Sequence, residues 1–383
     1  VLLDVSGRDG ASAGAAPPLV LDAASTGRAR TERVVALDGL RGLMAWAVAL
    51  YHFGLLAHAF PAGTTASGVV TVLGLHSVEA FFIVSGFCLF HLHGGIAIER
   101  AALRDFYARR FARIAPVFYL VLAINLACRL PVGPPFSWLM LIENLTFTFG
   151  LHHPNYALVV GGWSIGLEML FYASFPFLAW LFRSPGALAA GAVATLGLAW
   201  SYSVSDVEGA TDAARFNAYV TIQNHAFAFL LGGLIAKLRP VVSLRVTFPF
   251  AFAALGIGLV SWIRSKPTVI DHFDVVLGLP RAHYVAAATL CIALAVLTQA
   301  SNERVRVGLS WIGELSYPVY LIHPLAWLLC RACLPSNAPP LAAVSCALAT
   351  TLGLALAIHH FFERPVRSWL LGTVPAGRVD RRS

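Results

Sequence analysis

Apolar runs of near-membrane length recur along this chain, and they leave few folds open. About 20 mostly apolar residues are needed for a helix to cross a hydrocarbon core. Runs of roughly that length lie near 34–56, 69–91, 112–130, 163–182, 187–203, 216–236, 246–263, 284–300, 308–330 and 340–362. They are continuous rather than alternating, which argues for helices and against a β-barrel. Only 12% of the 383 residues are Asp, Glu, Lys or Arg, about half the share usual in a soluble domain. The sequence therefore predicts an all-α fold, a polytopic membrane helical bundle of about ten transmembrane helices.

The net charge of +8 comes from basic residues at the ends of these runs, where they act as topology signals rather than as a nucleic-acid surface. Arg28, Arg30 and Arg33 precede the first run, and Arg100, Arg104, Arg109, Arg110 and Arg113 follow the second. A further apolar stretch, 137–150, is interrupted by Glu143 and Asn144. If it crossed, every later loop would change sides and the basic bias would reverse. The stretch is therefore expected to be re-entrant or interfacial, with both termini cytoplasmic. On this plan Arg281 belongs to an outside loop. Residues 1–32, rich in Ala, Gly and Pro, form a flexible cytoplasmic tail, 33–370 the membrane domain, and 371–383 a basic cytoplasmic tail.

Ionisable groups inside the apolar runs point to function, because each is costly in lipid without a partner or a task. Arg41 and His52 share the first run. Eleven residues at about 100° each bring them to one helix face, about 16 Å apart along the axis. Arg110 and Arg113 are three apart and also share a face, where two guanidiniums suit a phosphate-rich group, inner-surface anchoring or a lipid headgroup. Glu168 follows Trp163 and Ser164 among aromatics and needs a cation or donor, with Arg41 and His52 as candidates. Glu79 is a second intramembrane acid, near Ser85 and Gly86, which suit close helix packing. Ser316, Tyr320 and His323 form a polar stripe for a cavity or a neighbouring helix, and Pro318 is placed to kink that helix. Glu363-Arg364-Pro365 reads as a cap at membrane exit. Cys330 and Cys333 form one C-x-x-C with no second pair, so no metal site is expected.

Together these segments resemble the acyltransferase-3 family of integral membrane acyltransferases. Asp38-Gly39-Leu40-Arg41-Gly42 with His52 is similar to the family's basic-x10-His motif, and Arg110-x-x-Arg113 to its R-x-x-R. Trp163-Ser164-Ile165-Gly166-Leu167-Glu168 is similar to its W-S-L-x-x-E, with Ile165 in the Leu position. Phe82-x-x-Ser85-Gly86-Phe87 and Ser316-Tyr317-x-x-Tyr320-Leu321-x-His323 complete the set, in the family's order, over roughly 34–368.

The resemblance implies an enzyme of the bacterial inner membrane and an acyl-CoA donor, usually acetyl-CoA, that reaches it from the cytoplasm. It implies a carbohydrate hydroxyl on the far side as acceptor, a surface polysaccharide or oligosaccharide, or else a macrolide-like small molecule. On this reading Arg110, Arg113 and Arg41 bind the donor, while His52, Arg41 and Glu168 are catalytic. Glu79, Ser85, Trp163, Ser164, Ser316, Tyr320 and His323 line the substrate cavity. His52 would act as general base, with Glu168 orienting it or balancing Arg41. Ser85, Ser164 and Ser316 are open as covalent acyl carriers. The competing expectation is a proton-coupled transporter or flippase, which intramembrane Arg, His and Glu would also suit. Membrane lipid is the expected surrounding, and the sequence points to no protein partner.

Overall fold

The computed structural model describes residues 34–128, 135–205, 212–241, 278–297 and 303–372, and all regular structure among them is helical. The expected tails and the run near 246–263 lie outside these residues. Five described helices are long and apolar enough to cross a membrane. They are α1 (Val35–Leu56), α2 (Thr65–His93), α3 (Arg100–Ala127), the helix Gly162–Leu181 and the continuous segment Pro340–Gly372. Shorter apolar helices cover Pro185–Ser201, Ala226–Leu238 and Arg281–Val296. Apolar side chains such as Leu43, Trp180, Leu290 and Leu341 stand exposed on the outside, as lipid-facing positions should. The chain is a helical membrane protein.

Several expected spans are interrupted, each for a local reason. The stretch 137–150 folds as α4 (Trp138–Thr146) and α5 (Phe149–His152), separated by Phe147 in the left-handed region. Nine residues rise only about 13 Å, too short to cross. Glu143 and Asn144, which interrupt the apolar run, hold this turn together. Glu143 pairs with His153 at 3.0 Å, and Asn144 donates to the Met140 and Tyr156 carbonyls and accepts from Leu158 N.

After α6 (Gly162–Leu181) and α7 (Pro185–Ser205), the run 216–236 is split into α8 (Asp212–Tyr219) and α9 (Ala226–Leu238). Between them Asn224 and His225 turn their side chains onto the Tyr219 carbonyl, satisfying the backbone where the helix stops. Further on come α10 (Gly278–Val296), α11 (Glu303–Glu314) and α12 (Ser316–Cys333). The run 308–330 breaks at Leu315, where Ser316 Oγ donates to the Gly313 carbonyl at 2.7 Å. Pro318 was expected to kink this span. It instead occupies the first turn of α12, where a missing N–H costs nothing. Finally α13 (Pro340–Ile358) runs through a π-helical turn, His359–Glu363, into α14 (Arg364–Gly372). That turn ends two residues before Pro365, whose nitrogen has no hydrogen to give the preceding turn.

The helices are packed so that α1 is surrounded. α2 runs antiparallel to it, with Gly74 against Tyr51. α12 runs beside it in parallel, stacking Trp327 on Phe53 at 5.9 Å. The glycines of the Asp38–Gly42 motif face α11 at Leu309 and Ile312. α2 and α9 approach closely through Gly86 and Gly232. A Cβ at Gly86 would fall on the Phe229 carbonyl oxygen, and one at Gly232 on the Ile83 carbonyl oxygen. Small residues here replace a hydrophobic drive that lipid cannot supply. Gly232→Leu should therefore destabilise the bundle by about 1–3 kcal/mol or more. The control, Gly308→Ala, adds a methyl in open space. Thermal unfolding in detergent should show a lower midpoint for the first variant and none for the second.

Candidate functional site

At the Val35 end of α1, guanidiniums gather from three elements. Arg41 lies within electrostatic reach of Arg113, Glu168 and Tyr172. Arg113 is in reach of Glu168 and Glu363, and Arg367 of α14 is in reach of Arg109, Arg110 and Arg113. α3 begins at Arg100, so Arg110 and Arg113 sit well inside a continuous helix rather than opening it. The Arg110 guanidinium lies over the Phe106 and Tyr172 rings at 5.6 and 5.3 Å. Its Nε is buried and has no hydrogen-bond partner among the described residues.

Glu168 is the nearby carboxylate. It accepts from Tyr172 OH and, at 3.4 Å, from Ser85 Oγ. It therefore sits by Arg41 and Arg113, and its hydrogen-bond donors are these two hydroxyls rather than His52. With Arg109 paired to Asp105 at 2.9 Å, Arg41, Arg110, Arg113 and Arg367 against Glu168 and Glu363 leave a positive excess. An orphaned buried N–H beside that excess fits a multiply charged anion such as the phosphates of an acyl-CoA. Arg367 was not singled out from sequence, since a basic residue near a span end reads as a topology signal.

About three turns along α1 the side chains change character. His52 Nδ1 and His323 Nε2 are 3.1 Å apart, with the ring planes within 22° of parallel and their centroids 5.0 Å apart. His323 Nδ1 is 2.7 Å from the Tyr320 carbonyl. Next to them, the Gly161 carbonyl accepts from Ser164 Oγ at 3.0 Å and from Tyr320 OH at 3.1 Å. The two hydroxyls are also 2.8 Å from each other. Gly161 itself has φ +74°, a conformation that aims its carbonyl at this pair and suits glycine. This closed triangle occupies the Ser164 hydroxyl, and Ser316 is spent on the break before α12. Ser85 is held by Glu168. Each serine considered as an acyl carrier thus has a structural partner.

Glu79 belongs to neither group. It sits 1% exposed between His76 at 3.2 Å and His225 at 3.7 Å, with Arg281 Nε donating to it at 2.5 Å. Arg281 also donates to the side chain and carbonyl of Asn224, in the break between α8 and α9. The expectation that Arg281 belongs to an outside loop is corrected, because it is 5% exposed inside the bundle. The sequence signal would have been Glu79 itself, a buried acid that needs a cation. Trp163 covers this network, with its ring 5.2 Å from Tyr219 and 5.5 Å from His225.

A family model described as an acyltransferase domain matches residues 34–360. Peptidoglycan O-acetyltransferase OatA of Listeria monocytogenes is 25% identical over 386 residues, covering 89% of this chain and 57% of the relative. YrhL of Bacillus subtilis is 24% identical, covering 87% and 54%. Acyltransferase MdmB of Streptomyces mycarofaciens is 27% identical, covering 77% and 79%. No solved structure matches. The chain belongs to the acyltransferase-3 family, and it spans about half the length of the two peptidoglycan-type relatives it matches.

Removing Arg281 leaves the Glu79 carboxylate buried without its strongest partner. Arg281→Met should cost about 3–5 kcal/mol, read as a lower unfolding midpoint or lost folded yield in detergent. Glu79→Gln/Arg281→Met should recover part of that loss, since the uncompensated charge is gone.

Proposed function

We propose that this chain is a membrane O-acyltransferase. It moves an acyl group, acetyl by preference, from cytoplasmic acyl-CoA to a hydroxyl of a carbohydrate acceptor, a surface polysaccharide or oligosaccharide. The observation that carries this reading is the polarity of α1. The guanidinium cluster with its unpaired Arg110 Nε lies around Arg41, and a paired imidazole lies about three turns away at His52. Family membership supports acyl transfer. The name of the Listeria relative supports a glycan hydroxyl as acceptor. The basic bias of the sequence supports an inner-membrane protein with both termini cytoplasmic and the guanidinium cluster inward.

Each residue has a distinct part. Arg110 and Arg113 grip donor phosphates with charge-assisted hydrogen bonds, and Arg41 holds the donor deeper in the bundle. Glu168, fixed by Tyr172 and Ser85, keeps these guanidiniums from repelling one another out of place. His52 takes the acceptor hydroxyl proton as its oxygen attacks the thioester carbon. In this proposal transfer runs directly from donor to acceptor, with His52 as the base.

His52→Ala should lower kcat by about 10²–10⁴-fold at normal protein level, measured as release of CoA thiol with acceptor present. Wild-type turnover would overturn the base assignment. Arg110→Ala/Arg113→Ala should raise KM for acetyl-CoA by at least about tenfold, one charged hydrogen bond being worth about 1.5–3 kcal/mol. Unchanged acetyl-CoA binding would remove the donor site.

A further inference from the structure

The His52–His323 contact has a direction. His323 Nδ1 stands 2.7 Å from the Tyr320 carbonyl oxygen. A carbonyl only accepts, so that nitrogen carries the hydrogen. In a neutral ring the other nitrogen, Nε2, is then an acceptor. It is 3.1 Å from His52 Nδ1, which must supply the hydrogen for that contact. With the hydrogen on Nδ1, His52 Nε2 keeps its lone pair, and the Val48 carbonyl is a second acceptor within reach of the ring. In the opposite tautomer Nε2 would already hold a proton and could accept none from a hydroxyl.

We propose that His323 is a positioning residue that fixes the tautomer of His52, leaving Nε2 as the basic nitrogen for acyl transfer. The proposal rests on the reading of His52 as general base. His323 is 1% exposed, whereas His52 is only partly buried, so His323 acts through its neighbour. The rings lie within 22° of parallel at 5.0 Å, and His323 is further packed edge-on to Phe53 at 6.0 Å. The near-coplanar rings meet edge to edge, as an in-plane nitrogen contact requires, and rotating the His52 ring would break it.

The proton accounting closes with these two rings. The acceptor oxygen forms its bond to the acyl carbon while its proton moves to His52 Nε2. The resulting imidazolium donates Nδ1–H to His323 Nε2, a charge-assisted bond stronger than the neutral one. The carbon–sulfur bond then breaks, and the Nε2 proton passes to the departing sulfur. The products are an ester and a free thiol, and both rings are back in their starting tautomers. His323 does for His52 what a carboxylate does for other catalytic histidines, without a fixed negative charge to bury.

The test uses the full chain reconstituted in liposomes, with acetyl-CoA as donor. His323→Phe keeps an aromatic ring beside His52 but offers no acceptor. His323→Gln offers a carbonyl in place of Nε2. The Phe variant should lose about 10²-fold in kcat, with KM for acetyl-CoA within about twofold and an unchanged unfolding midpoint. The Gln variant should recover at least about tenfold of that loss. Near-wild-type kcat in the Phe variant, or equal losses in both, would overturn the assignment. Should the Phe variant fail to fold, the Gln variant decides alone: turnover well above His52→Ala supports the role, and a loss as deep overturns it. His52→Ala, run in parallel, separates the two ideas. Activity in that variant removes the base itself, whereas an inactive His52→Ala beside an intact His323→Phe removes only the positioning role.

Discussion

Charge in a low-dielectric bundle must be neutralised, paired or left facing a ligand, and this requirement organises the whole molecule. The Glu79–Arg281 network meets it internally. One carboxylate, one guanidinium, two imidazoles and the side chain and carbonyl of Asn224 gather around one another, with His225 Nδ1 3.7 Å from Glu79 and outside hydrogen-bond distance. To do so the backbone gives up helical continuity between α8 and α9, where Asn224 delivers its carbonyl to Arg281. The cluster around Arg41 does not close in the same way. Glu168 is shared among Tyr172, Ser85 and several arginines, and a buried Arg110 nitrogen is left over. The contrast is one of charge balance: one guanidinium meets one carboxylate around Glu79, whereas guanidiniums outnumber carboxylates around Arg41.

Much of this was legible in the sequence wherever the signal was local. The apolar runs, the interruption at Glu143 and Asn144, and the placement of Arg41 and His52 on one helix all follow from spacing along the chain. The family motifs fall on residues that the fold brings near α1. What sequence could not supply were partners far apart in the chain. His52 meets His323 across 271 positions, and Glu79 meets Arg281 across 202. Arg281 looked like a loop residue because apolar periodicity starts after it. The buried Glu79 carboxylate gives the Arg281 guanidinium its partner inside the bundle.

The span count shows the same limit. Hydropathy counts continuous runs, but runs 216–236 and 308–330 are each two helices. Their breaks are made by one or two polar side chains, Asn224 with His225 in the first and Ser316 in the second, which return hydrogen bonds to the freed backbone. A window average hardly registers one such residue. Pro318 misled in the opposite sense, since proline marks a helix start as readily as a kink.

The π-helical turn at His359–Glu363 has a geometric consequence for the end of the chain. One extra residue per turn advances the helix by about 100°. The segment from Pro340 to Gly372 is continuous, yet α13 and α14 are out of rotational phase. Any side-chain periodicity read through residue 358 loses its register beyond 363. The face that brings Arg367 toward Arg110 and Arg113 is thus set by a change in winding, one that no helical wheel drawn over the whole segment would display.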